Sequence, residues 1–286
     1  MFIFRVRCWI MEDKKIGVRG ERSGVSKGIL FLLFFLTPHP SPLTPSLWAF
    51  RPDRFRVGVL RYAAAEDHDP YPTVWRDLGR LLEQATSIET DPLVKEIISP
   101  TPRELAAHAL IFWVTSPNFR SWSAAERQAL KNWVRLGGGM IVVTGAEGIK
   151  SAANANDDQL DAKVRREIEA IFEGSSLEVV ASTHAVFRSF YLVNQAGGVL
   201  IKNRSLVGIK TGERYGLVYS RNDLLGTLLR DQAGVYLFGC YPGGETQRKE
   251  SVKLLVNIVV YALTGTYKQD VIHLPFIEQK LRLRRR

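Results

Sequence analysis

Residues 123–144 read SAAERQALKNWVRLGGGMIVVT, and this stretch decides the fold class. Its first part predicts a helix over Ser123–Leu136, which opens with an S-x-x-E capping box and ends before Gly137. Met140–Thr144 is a short apolar run, as expected of a strand that is covered on both faces. A helix that leads directly into a buried strand indicates an α/β protein.

The same alternation continues on both sides of this stretch. Further predicted strands are Arg54–Tyr62, Leu110–Thr115, Ser205–Lys210, Tyr215–Tyr219 and Val235–Gly239, and further predicted helices are Thr73–Ala85, Ala162–Phe172 and Glu245–Leu263. We therefore expect an α/β fold with a central, mainly parallel sheet and helices on both faces. The sheet should contain Phe55–Leu60, Leu110–Thr115, Met140–Thr144 and Val235–Phe238.

The charge of the chain is concentrated at its ends. Of the net charge of +10, residues 1–61 carry 11 Lys/Arg against 4 Asp/Glu, and residues 280–286 carry 5 Lys/Arg with no acid. The remaining 218 residues hold 23 basic and 25 acidic residues. A nucleic-acid-binding domain carries its basic patch on the folded body, so we expect no nucleic-acid partner. The Arg-rich end is read as a solvated tail, or as a weak contact with anionic lipid or a partner protein.

The first 50 residues are typical of a targeting segment. Five basic residues between Lys14 and Lys27 precede the apolar run Ile29–Leu36, which is too short to span a bilayer but fits a signal peptide. We expect removal of this segment and export to the periplasm or cell envelope, with the bond after Ala49 as a candidate cleavage site. The alternatives are a buried strand or a start codon placed too early. The predicted organisation is a targeting segment over 1–50, one α/β domain over 51–275 and a basic tail over 276–286.

Four stretches in this order resemble a known family. They are RFRVGVLRY ending at Tyr62, HAVFRSFY at His184–Tyr191, YSRNDL at Tyr219–Leu224, and NIVVYALTGTYK at Asn257–Lys268 with His273 beyond it. The chain resembles the bacterial domain-of-unknown-function family 4159 over about residues 54–275. The resemblance implies a flavodoxin-like fold of the glutamine-amidotransferase-like superfamily, and members that are often exported or membrane-associated. It implies no established activity.

The superfamily comparison allows a chemical test at the turn after Met140–Thr144. An amidotransferase presents a Cys nucleophile on such a turn, activated by a His. Here the turn reads Thr144-Gly145-Ala146-Glu147, with neither Cys nor Ser. Cys240 follows a different predicted strand and is read as a partly buried free thiol. We therefore expect no glutaminase activity.

Several other side chains are candidates for a site at the carboxyl ends of the strands. Glu147 is a possible general base or ligand contact, and Thr144, Gly145 and Ala146 are possible ligand contacts beside it. Ser220, Asn222 and Asp223 should lie on the same edge, although Ser220 and Asp223 also fit a helix-capping box. His184 could act as a base or a metal ligand, or as a hydrogen-bonded structural residue.

The remaining polar features favour structural roles. The acidic loop Glu66–Asp69 could hold a divalent cation, or be a solvated turn before Pro70. Asn257 and Tyr261 are read as a buried hydrogen-bonding pair within the last helix. No phosphate loop, Rossmann glycine fingerprint or zinc signature is present, so we expect neither a cofactor nor a metal.

Two functions remain open at this point. The first is a non-catalytic module that binds a small ligand, a glycan or an envelope protein at the strand ends. The second is a hydrolase of different chemistry that uses His184, Glu147 and Asp223, which requires these three side chains to lie together.

Overall fold

The computed structural model describes residues 54–61, 69–116, 119–146 and 157–264, without the side chains of residues 92–94 and 157. The strands are β1 (Phe55–Leu60), β2 (Thr90–Ile98), β3 (Leu110–Val114), β4 (Met140–Thr144), β5 (Glu178–Val179), β6 (Val207–Thr211) and β7 (Arg214–Ser220). The helices are α1 (Val74–Ala85), α2 (Pro102–Leu105), α3 (Ala124–Arg135), α4 (Asp157–Ile171) and α5 (Gly244–Thr264), with 3₁₀ turns at Ala185–Phe187 and Leu225–Leu228. The predicted targeting segment and basic tail lie outside the described residues.

The seven described strands form one sheet in the spatial order β2–β1–β3–β4–β7–β6–β5. The first five of these run parallel to one another, and β6 is antiparallel to both β7 and β5. The expected α/β class with a mainly parallel sheet is therefore confirmed for the described residues. Because the first five strands are parallel, their carboxyl ends lie along one edge of the sheet.

Helices cover both faces of this sheet, because successive side chains of a strand point to opposite sides. On β3, Phe112 joins the core that packs under α1 and α5, whereas Trp113 joins the core under α2, α3 and α4. The neighbouring β4 divides its side chains in the same way, with Val142 on the first side and Val143 on the second. Burial on both sides explains why these strands read as continuous apolar runs.

Helix α3 begins and ends as its sequence predicts. The Ser123 hydroxyl accepts the Glu126 N–H at 3.3 Å, and the Glu126 carboxylate accepts the Ser123 N–H at 2.8 Å, which completes the capping box. A glycine is required at Gly139, since a Cβ there would lie 2.1 Å from the Trp133 ring. The chain can therefore pass close to Trp133 and enter β4.

The strand predicted over Val235–Phe238 is wrong. The place beside β7 is occupied by β6, and residues 229–237 instead form a local hairpin that we call the 229–237 hairpin. It turns at Gly234, whose φ is +81°, and the Leu237 N–H donates to the Leu229 carbonyl at 3.0 Å. Val235 and Leu237 are 62% and 52% exposed instead of buried. Their apolar character predicted a core strand, but the backbone pairs with its own preceding residues.

Candidate functional site at the carboxyl edge of the sheet

The ends of β4 and β7 lie side by side, because Thr144 and Ser220 are register partners. The chain folds back directly after β7, and Thr144 holds this turn. Its hydroxyl accepts the Leu224 N–H at 3.1 Å and lies 3.2 Å from the Asn222 carbonyl, to which it donates. The Ser220 hydroxyl accepts the Asn222 N–H at 3.2 Å. Both hydroxyl-bearing residues are buried, so their hydrogen-bonding groups stabilise the turn.

Asn222 is fully buried and fastens a second segment to the same turn. Its side-chain oxygen accepts the N–H groups of Lys202 and Asn203 at 2.8 and 3.0 Å, and its amide donates to the Asn203 carbonyl at 2.6 Å. On the β4 side, Gly145 is buried and Ala146 packs against the core. The predicted ligand-contact residues thus come together at one edge, with the Asn222 amide bonded within the protein.

Asp223 places a fully buried carboxyl group beside this turn. One oxygen accepts the Gly226 N–H at 2.8 Å, and the other accepts the hydroxyl of Tyr71. A Cβ at residue 226 would lie 2.4 Å from the Asp223 carboxylate, so only glycine fits there. Asp223 therefore binds the 3₁₀ turn at Leu225–Leu228, whereas the Ser220 hydroxyl binds Asn222 ahead of that turn, so the two do not form the predicted capping box. Tyr71 ties Asp223 to the loop after β1.

Cys240 and Arg248 lie next to this cluster. Burial raises the pKa of the Cys240 thiol, and the Glu245 and Asp223 carboxylates act in the same direction, while the Arg248 guanidinium opposes them. A raised pKa disfavours the thiolate, which is the nucleophilic form of cysteine. The described geometry thus gives Cys240 the character of a buried free thiol.

Arg248 is a buried arginine beside the candidate site that was not predicted from the sequence. It holds the 229–237 hairpin in place. Its guanidinium donates to the Thr227 carbonyl at 2.7 Å, to Glu245 at 2.9 Å and to the Phe238 carbonyl. It also lies 3.9 Å from the ring centroid of Tyr236. The only sequence signal was a basic residue on the inner side of the last helix.

His184 lies at the other end of β7. It precedes the 3₁₀ turn at Ala185–Phe187, and its Nδ1 accepts the Val186 N–H at 3.2 Å. Its ring packs edge-on against Tyr215, near the start of β7, at 4.8 Å between centroids. Burial, with a smaller contribution from Lys210, lowers the pKa of His184 to about 4. The imidazole is therefore neutral at pH 7 and acts as a cap.

The predicted hydrolase requires His184 and Asp223 to lie together, and the structure separates them. Tyr215 and Ser220 are five strand residues apart, which corresponds to roughly 16 Å. His184 packs at the first of these residues, whereas Asp223 follows the second. The two side chains do not share a site, and Glu147 lies outside the described residues.

Asn257 and Tyr261 are both buried, but they bond to other segments and not to each other. The Asn257 oxygen accepts the Phe190 and Tyr191 N–H groups at 2.9 and 2.7 Å. The Tyr261 hydroxyl accepts the Tyr215 N–H at 2.8 Å. The predicted structural role is confirmed, with the correction that each residue fastens a different segment to α5.

The acidic loop is described only at Asp69. Its carboxylate accepts the Trp75 indole N–H at 3.0 Å and pairs with Lys95, so it stabilises the start of α1. Residues 66–68 lie outside the description. Among the described residues, no three His, Cys, Asp or Glu side chains converge as metal ligands. In the same part of the chain, no helix has the length and apolar character to cross a membrane.

A groove of about 520 Å³ lies between α1 and the 229–237 hairpin. Basic, acidic and apolar side chains line it, among them Arg76, Asp77, Arg80, Leu81, Arg230 and Tyr236. This volume falls within the range of small-ligand sites. The groove was not predicted from the sequence, because the prediction placed Val235–Phe238 inside the sheet.

Fold and site together define an α/β protein with a mainly parallel sheet, whose strand-end turns are fastened to one another by buried polar side chains. The sequence profile of the family described as a domain of unknown function (DUF4159) matches residues 56–263, and the chain belongs to this family. Comparison with curated proteins gives no match.

Proposed function

We propose that the protein is an exported, non-catalytic binding module with a flavodoxin-like, amidotransferase-like fold that lacks the cysteine nucleophile. Its ligand or partner binds beside the carboxyl edge of the sheet. The strand order β2–β1–β3–β4–β7 supports the fold, since doubly wound flavodoxin-like sheets place their five parallel strands in this order.

One observation carries the non-catalytic proposal. The polar side chains at the ends of β4 and β7 are bonded to the backbone of the protein: Thr144 to Leu224 in the turn after β7, and Asn222 to Lys202 and Asn203 in a second segment. Nucleophilic catalysis needs an activated side chain directed at a substrate. A buried Thr that accepts a backbone N–H and a Cys with a raised pKa do not meet this requirement.

Export is the other part of the proposal. It rests on the basic residues between Lys14 and Lys27 and on the apolar run Ile29–Leu36 that follows them. The module would then bind its small ligand, glycan or envelope protein outside the cytoplasm.

Ammonia release from glutamine tests the loss of the covalent route. We expect the purified protein to release none above the rate without enzyme, and Cys240→Ser to change nothing. General acid–base assistance contributes about 10²–10⁴-fold and would not replace a missing thiolate. Ammonia release that Cys240→Ser abolishes would overturn the proposal and make Cys240 the nucleophile.

A further inference from the structure

The groove between α1 and the 229–237 hairpin is lined by three arginines that come from two walls. Arg76 and Arg80 are one turn apart on α1, and so lie on the same side of that helix. Arg230 stands on the hairpin opposite. The apolar side chains of Leu81, Leu228 and Val252 also line the groove.

The two acidic residues of the groove are already engaged. Asp77 pairs with Arg80 at 3.8 Å. The Asp231 carboxylate accepts the Val235 N–H at 2.9 Å and belongs to the hairpin turn. No hydrogen bond or ion pair joins Arg76 to any residue in the described part of the chain. Three arginines and these two carboxylates together give the groove a net charge of +1, and Arg76 is left with all of its N–H donors available in the described structure.

Arg230 is held in a fixed orientation. It donates to the Tyr236 hydroxyl at 2.6 Å and to the Gly234 carbonyl at 3.3 Å, and its guanidinium lies 4.2 Å from the Tyr236 ring centroid. Arg248 lies at the same ring, 3.9 Å from its centroid, and joins it to α5. A guanidinium has five N–H donors, so Arg230 keeps three for a ligand.

We propose that this groove binds a small oxyanionic ligand, which carries carboxylate or phosphate groups, through Arg76 on one wall and Arg230 on the other. The assignment rests on the proposed binding function and names its ligand class. Guanidinium groups form charge-assisted, often bidentate hydrogen bonds with both kinds of oxyanion. A ligand with two anionic groups can contact both walls.

Calorimetric titration at low ionic strength tests the assignment, with citrate as the carboxylate probe and pyrophosphate as the phosphate probe. We expect saturable binding of at least one probe. Binding of citrate alone assigns carboxylates, binding of pyrophosphate alone assigns phosphates, and binding of both assigns oxyanions in general.

Arg76→Gln is the deciding variant, because Arg76 is exposed and supports no described contact. It should weaken binding by about tenfold, since a hydrogen bond to a charged group is worth that much or more. Arg230→Gln should weaken binding as well. Arg103→Gln is the matched control, because it removes the same charge from α2 on the opposite face of the sheet and should leave binding unchanged.

Two results would overturn the assignment. One is the absence of saturable binding of either probe up to about 10 mM. The other is binding that Arg76→Gln leaves unchanged, or that Arg76→Gln and Arg103→Gln weaken equally, as general charge attraction would. Cysteine-dependent ammonia release would refute the non-catalytic proposal without altering these titrations, so the two failures are distinguishable.

Discussion

The hydroxyl of Thr144, the last residue of β4, accepts the N–H of Leu224, four residues beyond β7, at 3.1 Å. This bond ties the turn after β7 to the end of the neighbouring strand. The side chain at the end of β4 therefore stabilises the turn that follows β7.

Thr144→Val tests this bond, because valine keeps the shape of threonine and removes the hydroxyl. The buried N–H of Leu224 would lose its partner, so the free energy of unfolding should fall by about 1–3 kcal/mol. Urea unfolding of the purified protein measures this loss. Thr144→Ser keeps the hydroxyl and should retain more stability than Thr144→Val; equal stability of the two variants would show that the bond contributes nothing.

His184 should make the protein less stable in acid. Burial lowers the pKa of His184 in the folded protein to about 4, whereas an unfolded histidine titrates near 6.5. Between these values the unfolded chain binds a proton that the folded chain excludes. The stability that the neutral His184 contributes to the folded protein is thus fully present above about pH 6.5, and it is lost as the pH falls toward 4. Because the ring is only half-buried, solvent reduces the loss to about 1–2 kcal/mol.

The control for this pH effect is His184→Asn. Asparagine keeps an oxygen that can accept the Val186 N–H, but it does not titrate. Urea unfolding at pH 7 and pH 4.5 should show a smaller loss of stability for His184→Asn than for the natural protein. Identical pH dependence of the two proteins would contradict the pKa assignment.

Export predicts a shortened protein in the native host. Cleavage after Ala49 would give a mature chain that begins at Phe50. Mass spectrometry of the N-terminal peptide, after separation of envelope and cytoplasmic fractions, measures this directly. An intact N-terminus on a soluble cytoplasmic protein would refute export.

The central strands and the long helices were predictable from the sequence. Each central strand is an unbroken apolar run, and each long helix is marked by residues that lie close together in the chain. Met140–Thr144 is apolar on both faces, and α3 carries its capping box within four residues. The edge strand β2 was not predicted, since Thr90–Ile98 contains Asp91, Pro92, Lys95 and Glu96 among its apolar residues. An edge strand pairs on one side only and tolerates proline and charge.

The contacts at the site were not predictable in the same way. The candidates on the edge were found from the rule that parallel strands end together, and Thr144 and Ser220 are indeed neighbours. Tyr71 and Asp223, however, are 152 residues apart, and no local pattern links them. The hairpin was also missed, because VYLF has the composition of a core strand and only the occupied place beside β7 excludes it.

The pH dependence of Cys240 alkylation tests the absence of an activated nucleophile most directly. Iodoacetamide labelling, quantified at the Cys240 peptide by mass spectrometry, compares the folded protein with the same protein in denaturant. We expect slower labelling in the folded state and a midpoint above about pH 8.5, the ordinary value for a free thiol. Labelling that is faster in the folded state, with a midpoint below about pH 7.5, would contradict the proposal of a non-catalytic module, because such a thiol has the character of a catalytic cysteine.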